Sequence, residues 1–123
     1  MATYNNQQVL SLEAGADLSA GQFLLVKAHS VANQVVLAGN GENAIGVLVE
    51  PADAAGKEVT VAIGGKLRAY AGATTGIGVE VASDAAGKIV PAATTDAILG
   101  ISTTAGVTGG MIEFVWRPNG RAA

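Results

Sequence analysis

Short apolar runs with a two-residue period, separated by small and turn-forming residues, recur along the chain from Leu10 to Trp116. Val59-Thr60-Val61-Ala62-Ile63 alternates, and so does Ile112-Glu113-Phe114-Val115-Trp116. Neighbouring residues of a strand face opposite sides, so one face of the last segment carries Ile112, Phe114 and Trp116, with Glu113 turned away. This predicts that Phe114 and Trp116 are core residues and that Pro118 ends the strand. Asn40-Gly41 predicts a hairpin-type turn, because both residues tolerate positive φ. Ser83 to Val90, "SDAAGKIV", predicts a hairpin around Gly87. Ala-rich windows such as "EPADAAGKE" could form one helical turn, but no long 3.6-residue period is visible. The expected fold class is all-β, a small β-sandwich or a partly open barrel.

The pattern is also written twice. "LSLEAGADLSAGQFLLV" (Leu10 to Val26) aligns with "LRAYAGATTGIGVEV" (Leu67 to Val81), pairing Ala14-Gly15-Ala16 with Ala71-Gly72-Ala73 and Gly21 with Gly76. Val35-Val36 then pairs with Ile89-Val90, Ile45-Gly46-Val47 with Leu99-Gly100-Ile101, and Val59 with Ile112. The offset falls from 57 at Ala14/Ala71 to 53 at Val59/Ile112, each loss lying in an expected loop. Residues 10–63 and 67–116 therefore read as a tandem duplication of one β-unit, joined at Gly64-Gly65-Lys66. The competing explanation is chance matching in an Ala/Gly-rich chain.

Composition bears on how such a fold is held. A chain of 123 residues is expected to form one domain, here residues 10–117, with a segment 1–9 before it and a tail 118–123 after it. Seventeen glycines, each costing about 0.5–1 kcal/mol relative to Ala in regular structure, weigh against a typical net stability of about 5–15 kcal/mol. Five aromatics (Tyr4, Phe23, Tyr70, Phe114, Trp116) give few large side chains to offset this, so stabilisation by partner subunits is expected. Seven basic residues against ten acidic give a net charge of −3, with the basic residues scattered singly, so no nucleic-acid partner is expected. "MATYNNQQVL" lacks the pattern of a secretory leader, and no apolar stretch reaches the roughly 18 residues of a membrane span, so no membrane partner is expected. Cysteine is absent, which removes disulfides and thiolate chemistry.

Few residues point to catalysis. "VVLAGNGENAIG" spaces its glycines as Gly39, Gly41 and Gly46, which misses a dinucleotide-binding turn. The three Gly-Lys pairs lack the following Ser or Thr of a P-loop. His29 adjoins Ser30, and adjacent strand residues face opposite ways, a poor nucleophile-base arrangement. Asp53, Glu58, Asp84 and Asp96 fall in or beside loops without metal-ligand spacing and read as solvating charges. No enzymatic activity, cofactor or metal is expected.

The ordered elements "AGADLSAGQFLLV", "NAIGVLVEPADAAGKEVTVAIGGKLRAYAG", "GVEVASDAAGKIVPA" and "AILGISTTAGVTGGMIEFVW" cover residues 14–116. In this order they resemble the small, glycine-rich phage head decoration or capsid cement proteins, lambda-type decoration-like. That resemblance implies a compact β-domain of β-tulip type and no catalytic motif. It implies a homotrimer on the outer surface of the capsid, made in the host cytoplasm, with the major capsid protein and its own copies as partners. The function it implies is cementing of the phage head. A virion-displayed adhesion or carbohydrate-binding β-module is the alternative.

Family members are also implied to use an N-terminal arm against the shell. Here the expected capsid-binding residues are Thr3, Tyr4, Asn5, Asn6, Gln7, Gln8, Val9, Leu10 and Leu12. Thr3 to Gln8 are polar and uncharged and have no repeat counterpart, which suits an extended segment that orders on a partner. Val9 to Leu12 could extend it by adding a strand to a capsid edge, with Leu10 and Leu12 on one face.

Overall fold

The computed structural model describes residues 8–122. Ten strands form, and no helix among the described residues: β1 (Gln8–Ala14), β2 (Leu25–Ala28), β3 (Gln34–Leu37), β4 (Gly46–Glu50), β5 (Glu58–Gly64), β6 (Lys66–Tyr70), β7 (Glu80–Ser83), β8 (Ile89–Pro91), β9 (Gly100–Ser102) and β10 (Met111–Trp116). The first five close into a barrel in the order β1-β3-β2-β4-β5, and the others form a second sheet, β6-β10-β9-β7-β8. Of the two architectures open from the sequence, the chain adopts a barrel with an open sheet beside it.

The two halves share one connectivity. Read from β1 the other way, the barrel is β1-β5-β4-β2-β3, and adding five to each number gives the order of the second sheet. The barrel closes where β1 meets β3 in parallel at Glu13/Gln34 and Ala14/Val35. Its counterpart is a single parallel bridge, Ala71/Ile89. Even the flanking hydrogen bonds repeat: the Gly15 amide donates to the Val35 carbonyl at 2.8 Å, and the Gly72 amide to the Ile89 carbonyl at 2.7 Å. These are the pairs that the sequence alignment matches.

The recurring Gly46 and Gly100 have a shared cause. A Cβ on Gly46 would collide with the Ala62 carbonyl oxygen of β5, and one on Gly100 with the Val115 carbonyl oxygen of β10. Backbone rather than a movable side chain stands in the way at each site. Strands β4 and β9 can therefore approach their neighbours only with glycine at the first position.

One apolar cluster fills the barrel: Ala14, Leu18, Val26, Val35, Leu48, Val59 and Val61. A second joins both halves, with Leu67, Ala69, Val81, Ile89, Leu99, Ile112 and Phe114 from the open sheet and Leu25, Val47 and Ala62 from the outer wall of the barrel. The Leu25 amide donates to the Gly87 carbonyl at 2.7 Å, and the Gly41 amide to the Ser83 carbonyl at 2.9 Å, which ties the halves by backbone as well.

Two expectations change in detail. Asn40-Gly41 does form a turn, with Gly41 at φ 67°, but β3 and β4 do not pair. They lie on either side of β2, so the turn begins a crossover rather than a hairpin. Phe114 is fully buried, whereas Trp116 lies at the margin of the core, half-buried and tilted against the Phe114 ring at 6.4 Å. Pro118 to Ala122 run back along residues 95–98, with the Ala122 amide donating to the Asp96 carbonyl at 2.9 Å.

Substituting Gly46 or Gly100 by Ala is expected to destabilise by about 3 kcal/mol each in urea unfolding, because strand separation must relieve the collision. Gly56→Ala, where a Cβ meets nothing within 4 Å but φ is 85°, is expected to cost about 1–2 kcal/mol through backbone strain alone. Equal losses at the three positions would mean that close approach does not set the glycine requirement.

Candidate interaction surface

Of the expected arm, Thr3, Tyr4, Asn5, Asn6 and Gln7 lie outside the described residues. Gln8, Val9, Leu10 and Leu12 belong to β1, paired antiparallel with β5 in the register Gln8/Gly64, Val9/Ala62, Leu10/Val61 and Leu12/Val59. Val9 to Leu12, expected to add a strand to a capsid edge, pair with β5 along one edge, while on the other edge β1 pairs β3 only at Glu13 and Ala14. Leu10 is nevertheless half in solvent, and with Leu12, Val31 and Ile45 it lines a groove of about 470 Å³ at the end of the barrel.

A second surface carries chemistry that residue-by-residue reading passed over. Arg68 and Tyr70, two residues apart on β6, project from the same face. The Phe23 ring meets Tyr70 edge-on, with centroids 6.3 Å apart, and the Arg68 guanidinium carbon lies 5.5 Å from the Phe23 centroid. The three sit at the seam between the halves, where the Tyr70 amide donates to the Phe23 carbonyl at 3.1 Å. Phe23, Arg68, Val47 and Leu67 enclose a small cavity there of about 110 Å³.

Phe23 holds a left-handed backbone, φ 62°, which bulky residues rarely adopt. Its counterpart in the second half is Gly78, φ 74°. The backbones match: the Phe23 amide donates to the Leu48 carbonyl at 2.7 Å, and the Gly78 amide to the Ser102 carbonyl at 2.8 Å. Left-handed geometry costs a non-glycine residue roughly 1–2 kcal/mol. The ring contact returns about 0.5–1.5 kcal/mol and the cation–π contact about 0.5–1 kcal/mol, and half-burial of the ring adds to these, so the contacts offset the strain. An aromatic pair with arginine is the composition of binding hot spots. The signal was in the repeat: pairing Gly21 with Gly76 sets Phe23 against Gly78.

The titratable groups form structural contacts. Lys27 Nζ donates to both Glu42 carboxylate oxygens, at 2.7 and 2.8 Å, and the Gly39 amide donates to Glu42 Oε1 at 2.6 Å. These bonds, the Lys27 contact foremost, hold the Glu42 carboxyl below its ordinary value of 4.5. Asp53 and Glu58 share an open depression of about 590 Å³ with Lys57. Lys57 donates to Asp53 at 2.6 Å and lowers its pKa, the opposite of what a general acid requires. Among the described residues, no group of three His, Cys, Asp or Glu could hold a metal ion, and no helix is long and apolar enough to cross a membrane.

No family profile and no curated protein matches the chain. Among solved structures, it is similar to the head fiber gp8.5 N base of bacteriophage phi29, with a TM-score of 0.73 and 16% identity over 94% of this chain and 100% of that chain. At that identity the likeness establishes a shared fold.

Glu42 gives a pH expectation. Its carboxyl is depressed in the folded state, so its contribution is present above the unfolded value of 4.5 and is lost as the pH falls through the folded value. The melting temperature should decline below about pH 4.5, and Glu42→Gln should flatten that decline. An unchanged acid limb in the variant would assign the decline to other carboxylates.

Proposed function

We propose that this chain is a structural protein of a phage virion that seats on the outer surface of the major capsid protein shell. The observation that carries this reading is the fold shared, over nearly all of both chains, with a phage head fiber base. Such a protein works by binding and by being rigid. It uses no cofactor and catalyses no reaction, and its acidic, patchless charge gives a phosphate backbone little to bind. Two roles fit the seat: cementing the shell, or forming the base of a displayed fibre. In either role the chain acts as a homotrimer, since a small, glycine-rich domain gains from burial between copies.

The Phe23–Arg68–Tyr70 cluster is the proposed contact with the shell, and residues 2–7, just before β1, are the proposed auxiliary arm. The Arg68 guanidinium carbon lies 5.5 Å from the Phe23 centroid, opposite Glu113 across the sheet but without an ion pair among the described residues, so it can turn its N–H groups to a carboxylate on another protein. The exposed Tyr70 ring favours a second reading, a carbohydrate-binding module displayed on the virion, with a sugar face stacking on Tyr70.

Imaging of purified heads with and without the protein tests the proposal: density on the outer surface that appears only with the protein is expected. Phe23→Gly and Arg68→Ser should each weaken attachment at least tenfold, about 1.4 kcal/mol, while changing folding stability by no more than about 1.5 kcal/mol. Deleting residues 2–7 should leave the fold intact and weaken attachment less. The deletion stops at Gln7 because Gln8 already pairs with Gly64. Heads that stay bare would overturn the reading, and a glycan-array signal lost in Phe23→Gly would favour the alternative.

A further inference from the structure

The duplication supplies a template for how copies meet. In the open sheet, the inward residues Leu67, Ala69 and Leu99 are buried, at 0%, 0% and 2% exposure. Their cover includes the outer wall of the barrel: Leu25, Val47 and Ala62 belong to the same apolar cluster, and Val47, Val49 and Ala62 border the small cavity that Leu67 also lines. The barrel residues in the same repeat positions are Leu10, Leu12 and Ile45. Leu10 is 42% exposed, Leu12 and Ile45 are half-buried, and all three line the groove at the barrel end. One half of the molecule has its cover, and the other lacks it.

The covering wall has its own repeat, and that copy faces solvent. Leu25, Val47 and Ala62 lie side by side on β2, β4 and β5, in the registers Leu25/Val47 and Val47/Ala62. Their counterparts Glu80, Ile101 and Val115 lie side by side on β7, β9 and β10, in the registers Glu80/Ile101 and Ile101/Val115. Glu80 and Val115 are exposed and Ile101 is half-buried. The chain thus has an uncovered groove at one end and an unused wall at the other, and the same two surfaces are already mated once inside it.

We infer that the occupant of the groove is a second copy of this chain, docked head to tail. The partner's Ile101 and Val115 lie over Leu10, Leu12 and Ile45, as Val47 and Ala62 lie against Leu67 and its neighbours within one chain. Two departures accompany the match: Glu80 stands at the Leu25 position, and Asn33, on the groove rim, stands at the Gly87 position with its carbonyl already accepting from the Glu13 amide at 2.9 Å. The contact between copies therefore rests on the apolar residues. A contact between two different surfaces closes into a ring when its rotation permits. This inference rests on the self-association proposed above and not on attachment to a capsid, and three chains joined this way make a ring of six units.

Sedimentation of the full-length chain, with no capsid present, tests the inference. The wild type should associate as concentration rises. Leu10→Asp in the groove and Val115→Asp on the wall should each weaken association at least about 100-fold, because a carboxylate would be buried without a partner. Both positions are partly in solvent, so the fold should survive, and Val31→Asp on the groove rim, 51% exposed, is a further variant. Mixing decides the geometry. Leu10→Asp keeps an intact wall and Val115→Asp an intact groove, so an equimolar mixture should form a 1:1 dimer that neither variant forms alone. A wild type that stays monomeric at about 1 mM, where even a weak 4 kcal/mol contact would register, would overturn the inference. So would a folded Val115→Asp that assembles like the wild type, or a mixture without heterodimer.

Discussion

Three strands of the barrel are buried on both faces, and the rest of the structure follows from that constraint. Val26, Leu48 and Val61 point into the barrel, while their neighbours Leu25, Val47 and Ala62 point out into the core shared with the second sheet. A strand covered on both sides needs apolar residues in succession, which is why "LLV", "GVLV" and "VAI" interrupt the simple alternation. It also leaves little room for charge, and only 14% of the chain is charged. The units are therefore not two domains on a linker. Removing either would leave an apolar wall of the other in water.

The duplicated backbone is kept more strictly than the residues on it. Asn33, φ 63°, stands where the second half has Gly87, φ 78°, and Thr95, φ 69°, where the first half has Gly41, φ 67°. With Phe23 and Gly78, this makes three positions where one copy uses glycine and the other takes the same left-handed turn with a side chain. The turns are over-determined by neighbouring bonds, so the strain is tolerated. Thr95, for example, is held by its own amide to the Ala122 carbonyl and by Arg121 Nη1 to its carbonyl, both at 2.9 Å. Asparagine bears this geometry at small cost, threonine and phenylalanine at more.

What could be read from the sequence was what a short, local code specifies. The strand class, the Gly87 hairpin, the Ile-Gly-Val and Leu-Gly-Ile steps and the doubling all show in spacing, because glycine collisions and two-residue alternation act between near neighbours. What escaped depends on which surfaces meet across the fold. Asn40-Gly41 carries a turn code that does not say whether the next strand returns beside the last or crosses over another. Val9 to Leu12 reads as the end of an arm because the polar run before it has no repeat counterpart, yet its backbone pairs with β5 and completes the barrel. Trp116 alternates with Phe114 as a core residue should, but it lies at the last turn of the pleat, where the sheet ends and cover runs out.

The Phe23 cluster and the seam between the halves are mechanically one feature. Phe23 is fixed to the barrel through its amide and Leu48, and to the second sheet through its carbonyl and Tyr70. A load applied to its ring is therefore shared by both cores rather than levering one away from the other. The counterpart Gly78 has its amide bonded to Ser102, within its own sheet, and exposes no ring. Duplication made two equivalent turns, and only the turn clamped by both halves carries the aromatic. A side chain on a strained backbone keeps its orientation because the surrounding bonds, not its own preference, determine φ. That rigidity would lower the entropy lost in the proposed contact with a partner.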